Sequence, residues 1–103
     1  MSTPNDHHAE LVNALAAASG DERLELLLKL CAACRADAPD DSLAYGRQAL
    51  EAARNSGDDM LRARARRELG KTCYYLGNYQ EALEQWQAEL ALQRAAANRK
   101  GEQ

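Results

Sequence analysis

The chain has no phenylalanine, a single tryptophan and four tyrosines, so its core cannot rest on stacked aromatics. Proline occurs only as Pro4 and Pro39, which leaves long stretches free for helix. No apolar run approaches the roughly 18 residues of a membrane span. The first residues also lack the charged start and apolar stretch of a secretory leader. Excess positive charge is missing too: the formal net charge is -3, which provides no global basic field for nucleic acid. The three cysteines, Cys31, Cys34 and Cys73, are an odd number. They fit reduced thiols in a cytoplasmic setting better than a disulfide framework.

Alanine, leucine, glutamate, arginine and glutamine dominate instead, all good helix formers. Hydrophobic residues make up 46% of the 103 positions, enough for one domain. Much of that share is alanine, so the core depends on close helix approach. Residues Met1 to Asp6 are polar, and the spacing predicts a first helix over His7 to Ser19 with Leu11, Val12 and Leu15 inward. Ser19-Gly20-Asp21 breaks it, and Ser19 or Asp21 is placed to cap a second helix over Glu22 to Ala36. That helix carries the stripe Leu24, Leu27, Leu28, Cys31 and Cys34. Pro39 suits the first turn of a third helix reaching Asn55, with Leu43, Ala49, Leu50 and Ala53 apolar. Asp58 or Asp59 caps a fourth helix with Leu61, Ala65, Leu69, Cys73 and Leu76 inward. A fifth runs from Tyr79 to Asn98.

The densest signal is LGKTCYYLGNYQEALEQWQAELAL, Leu69 to Leu92. Gly70 and Ala82 let two antiparallel helices approach closely, and Tyr79 and Trp86 fill the space left open. The stretch Glu25 to Leu50 repeats this helix–turn–helix plan. Leu43 and Leu83, Leu50 and Leu90, and Arg54 and Arg94 are each separated by 40 positions. With Leu69-Gly70, Gly77-Asn78-Tyr79, Ala82-Leu83 and Trp86, the chain resembles the tetratricopeptide repeat family, in a variant longer than the usual unit of about 34 residues. The resemblance implies an all-α fold of antiparallel helix–turn–helix units in a short right-handed solenoid. It also implies a protein-interaction role without catalysis or cofactor. The organisation it suggests is a tail and leading helix over 1–20, repeats over 21–57 and 58–98, and a tail or new repeat over 99–103. Leu26-Leu27, Leu30, Arg35, Pro39-Asp40, Ser42-Leu43 and Tyr45 look like the leading repeat of regulatory arrays in bacterial signalling proteins. Such arrays precede diguanylate cyclase, histidine kinase or transcription-factor domains, so the likeness implies an N-terminal fragment. A purely structural or oligomerising segment is the alternative, and a cysteine-based metal or redox sensor a third.

Cys31-x-x-Cys34, Cys73 and His7-His8 invite a zinc reading. Zinc needs four converging ligands, whereas these cysteines lie on an apolar helical face, where free thiols pack as small hydrophobes. Adjacent His7 and His8 point to different sides of a helix. No nucleophile–base set or phosphate loop is present, and Asp40-Asp41 lie in a cap.

Arg62, Arg64, Arg66, Arg67 and Lys71 crowd one stretch. In the family the first helix of each unit lines the concave groove. Carried over, Arg64, Arg67, Lys71 and Tyr74 share one helical face that would grip an acidic peptide. The competing expectation is a solvated face paired with acids such as Glu68. Leu83, Leu90 and Leu92 follow on the last helix, which has no capping helix after it; they are expected to leave an uncovered self-association face. Glu89 stands where the family carries a small residue.

Overall fold

The computed structural model describes residues 4–101, with side-chain environments over 8–99. The ends of the two tails, Met1–Thr3 and Glu102-Gln103, and the His7 side chain of the His7-His8 pair lie outside these. Five helices follow one another: α1 (Pro4–Ala17), α2 (Gly20–Cys34), α3 (Pro39–Ala53), α4 (Asp59–Tyr75) and α5 (Tyr79–Gly101). The first begins earlier than expected because Pro4, like Pro39, can sit in a first turn, where its missing N–H is no loss. The last continues past Asn98, since Ala95-Ala96-Ala97 offers no stop.

Helix ends show which local signals are used. Ser19 occupies the N-cap of α2, but its side chain makes no capping hydrogen bond. The chain enters that helix through Gly20, at a φ of +60°. Asp58 does cap α4: its Oδ1 accepts from the amides of Met60 (2.9 Å) and Leu61 (3.2 Å). At the other end Gly77 takes a φ of +84°. Its amide donates to the Tyr74 carbonyl at 3.0 Å, and the Asn78 amide donates to that of Cys73 at 2.8 Å. This double bond pattern satisfies the last carbonyls of α4 and turns the chain back.

Each helix packs on its neighbour in sequence, and α4 also reaches α2. The backbones of α3 and α5 stay apart, with α4 between them, and the two helices meet through the bidentate Arg47–Glu81 pair at 2.8 and 3.0 Å. The result is elongated, 51 × 32 × 22 Å. One core cluster joins Leu24, Leu27 and Leu28 of α2, Ala49 and Ala53 of α3, and Leu61 and Ala65 of α4. A second joins Leu69, Cys73 and Ala82, with Leu43, Leu50 and Trp86 packed against it. Close approach is tightest at Gly70, where an added Cβ would lie 2.5 Å from Trp86 Nε1. Forty positions earlier the sizes are exchanged between the helices, Leu30 standing for Gly70 and Gly46 for Trp86.

The same 40-residue offset exposes a larger difference. Leu24, Leu27, Leu28, Ala49 and Ala53, which are buried, correspond to Arg64, Arg67, Glu68, Glu89 and Gln93. The apolar patch that receives α4 on the first helix pair is therefore polar on the second.

Candidate functional site

At 3.6 residues per turn the basic stretch of α4 divides into two faces. Arg64, Arg67, Lys71 and Tyr74 share one, as their spacing predicts, while Arg62 and Arg66 point the other way. Every cation of the first face meets a carboxylate. Arg64 Nη1 lies 3.6 Å from Glu25 Oε1 on α2. Arg67 Nε donates to Glu89 Oε2 on α5 at 2.7 Å, and Lys71 Nζ to Glu68 Oε2 at 3.3 Å. All three remain more than a third exposed. Tyr74 ends the row, 57% exposed. Its ring centroid is 5.1 Å from that of Tyr79 and 5.9 Å from that of Trp86, which fixes the tyrosine as the edge of a small aromatic platform.

Behind Lys71 and Glu68 lies a polar node that joins the two helix pairs. Arg35, one residue past α2, sets Nη2 2.9 Å from Glu68 Oε1 and 3.2 Å from the Glu68 carbonyl oxygen. Its Nε donates to Thr72 Oγ1 at 3.1 Å. The Ser42 hydroxyl donates to the Cys31 carbonyl at 2.5 Å, and Thr72 and Ser42 oxygens are 2.8 Å apart. Since Thr72 accepts from Arg35 and Ser42 donates to Cys31, the Thr72 proton goes to Ser42. The chain of bonds thus runs Arg35, Thr72, Ser42, Cys31 without leaving a buried polar side-chain atom unpaired among the described residues. Burial alone would push the Glu68 carboxyl up. The Arg35 hydrogen bond, with the Lys71 and Arg35 charges, outweighs it and holds Glu68 below the usual carboxylate range.

Nothing in the local pattern announced this node, whose hydrogen bonds between helices span 11 to 41 residues. The one available hint is Ser42, a polar residue at the close-packed position where the second unit has Ala82.

Cys31 is buried, but it is not in purely apolar surroundings: its sulfur lies 3.5 Å from both the Ser42 and Thr72 hydroxyls. Cys73 packs with Leu69 and Ala82. Burial pushes the Cys34 and Cys73 thiols up, so they are held as neutral packing groups. Among the described residues no three of His, Cys, Asp and Glu converge as metal ligands.

On α5 the structure separates the three leucines. Leu83 and Leu90 lie two turns apart on one face, 49% and 45% exposed. Leu92 points to the opposite side and is half-buried, so the three do not make a single patch. Glu89 tucks between Arg67 and Gln93 instead of offering a small contact surface.

Among the described residues no helix is long and apolar enough to cross a membrane. No match was found among curated proteins or among solved structures. The tetratricopeptide repeat model matches residues 22–100, the span of the two helix pairs. Repeats of this kind are typically non-catalytic scaffolds that mediate protein–protein contacts. With most of its length matched and its helices paired as the motif requires, the chain belongs to the tetratricopeptide repeat family.

Proposed function

We propose that the chain is a protein-interaction module that takes an acidic peptide along the α4 face bearing Arg64, Arg67, Lys71 and Tyr74. One arrangement supports this: a row of half-exposed cations that leads to an exposed tyrosine held in place by Tyr79 and Trp86. Guanidinium forks suit peptide carboxylates, and a restrained tyrosine adds contact area at little rotamer cost. Glu25, Glu68 and Glu89 already use part of the donor capacity, so the peptide exchanges one carboxylate for another and binds modestly. The role this suits is regulatory, inside a cytoplasmic bacterial signalling protein. The likeness of Leu26 to Tyr45 to leading repeats of such proteins is what supports that context.

A labelled acidic peptide should bind weakly and lose affinity as salt is added. Arg67→Glu should abolish binding with the helical circular dichroism signal intact. Arg64→Glu, which breaks the longer 3.6 Å pair, should do the same without touching Glu89. Unchanged binding in both variants would return the row to a solvated face.

A second reading, self-association through α5, draws on exposed Leu83 and Leu90. Light scattering at high concentration should then show a dimer that Leu90→Glu converts to monomer; a monomer throughout rejects it.

A further inference from the structure

The other half of the basic stretch has no part in the groove. Arg62 and Arg66, on the far side of α4, meet Arg54 from the C-cap of α3 around a cavity of about 80 Å³. The gap exists because the α3 and α5 backbones do not approach each other closely, so α4 forms its floor. Leu50 of α3 and Leu92 of α5 wall it.

The charges here do not balance. Arg54 pairs with Glu51 at 3.4 Å, on the exposed rim. Arg62 lies 3.8 Å from Asp59, a carboxylate that also takes Arg99. Arg66 has only the neutral amide of Gln85, whose Oε1 it meets at 2.9 Å. Among the described residues no carboxylate lies within 4.0 Å of its guanidinium. Of the three guanidiniums that line the hollow, one has no carboxylate and one shares its carboxylate with Arg99. Burial, followed by the Arg54 and Arg62 charges, holds Arg66 below the usual guanidinium range. Gathering like charges on a partly desolvated floor is costly unless an anion completes the group.

We infer that this hollow between α3, α4 and α5 binds a small oxyanion of the phosphate class. Three guanidiniums entering from two helices suit an oxyanion with several acceptor oxygens better than a planar carboxylate. An anion there also offsets the positive charge that Arg66 carries without a carboxylate of its own. The cavity is too small for a nucleotide or a peptide, though it would admit a phosphoryl group presented on a side chain. The site lies on the opposite face of α4 from the proposed peptide groove, so the two stand or fall separately.

Calorimetric titration with inorganic phosphate, at ionic strength held constant with chloride, tests it. One phosphate should bind per chain, and Arg66→Gln should weaken binding by about tenfold or more. Arg54→Gln, at an exposed helix end, should weaken it without any folding risk, while Arg67→Gln should leave it unchanged. Acetate should not compete. A phosphoserine peptide and its unmodified serine form separate the sources. Tighter binding of the phosphopeptide than of inorganic phosphate assigns the oxyanion to a partner's phosphoryl group; equal or weaker binding assigns it to free phosphate. The inference is overturned if neither probe binds saturably, if binding survives both Arg66→Gln and Arg54→Gln, or if acetate binds as tightly as phosphate.

Discussion

Gly70→Leu should lower the unfolding free energy by about 1–3 kcal/mol, the usual cost of overpacking a filled site. A helix-interior glycine exchanged for a better helix former would otherwise gain up to about 1 kcal/mol, so a loss reports packing alone. The reason is local. Any Cβ at Gly70 meets three atoms of the Trp86 indole within 3.0 Å, and a ring cannot yield as the end of a flexible chain does. Ala82, 1% exposed, is the small residue that α5 packs against Leu69 and Cys73 of α4. Gly57, with nothing within 4 Å of an added Cβ, is the internal control and should accept alanine without loss. Urea midpoints measure both. A second change, Trp86→Ala in the Gly70→Leu background, should be less harmful than the sum of the two alone. If Gly70→Leu unfolds at the wild-type midpoint, the assigned contact between α4 and α5 is wrong.

Arg35→Met should cost about 2 kcal/mol, below the 3–5 kcal/mol of fully buried pairs, because Arg35 and Glu68 keep 19% and 15% of their side-chain surface. The loss comes mostly from leaving Glu68 with Lys71 as its only side-chain donor and Thr72 without the Arg35 N–H. The same pair sets a pH dependence. Glu68 is held below its ordinary range in the folded state, so the folded protein releases that proton more readily than the unfolded chain. Its contribution is complete above the ordinary carboxylate range and is lost as pH falls through the depressed folded value. Unfolding measured from neutrality into acid should show wild type and Glu68→Gln furthest apart near pH 7 and converging in acid. Parallel curves would mean that the Arg35 pair contributes nothing to the stability of the folded state.

Much of the architecture was legible because its determinants are local. Pro39, Asp58 and Gly77 act within one or two turns of themselves, and the glycine–tryptophan exchange of volume lies inside a single helix pair. Pro4 obeyed the same rule as Pro39 but was hidden by the polar residues around it. Longer-range features were not legible. The split of the five cations, Arg64, Arg67 and Lys71 on one face of α4 and Arg62 and Arg66 on the other, follows from helical spacing alone; their partners do not. Which acids meet them depends on α2 and α5, whose distance in space has no local signature. Cys31 reads as a core residue, and it is buried. Its contact with two hydroxyls required knowing that Ser42 and Thr72 arrive from different helices.

The polar replacement of the patch that receives α4 has a counterpart at the other end. Leu61, Ala65 and Leu69, the residues α4 turns towards the first pair, correspond to Asp21, Glu25 and Lys29, which are exposed. Each unit therefore has one mating surface and one surface for water, and the mating surfaces are unlike. The contact between the units cannot be made by two copies of one unit, and reversing their order would set two wetted surfaces against each other. The chain behaves as a heterodimer tied together by the short tether at Asn55-Ser56-Gly57.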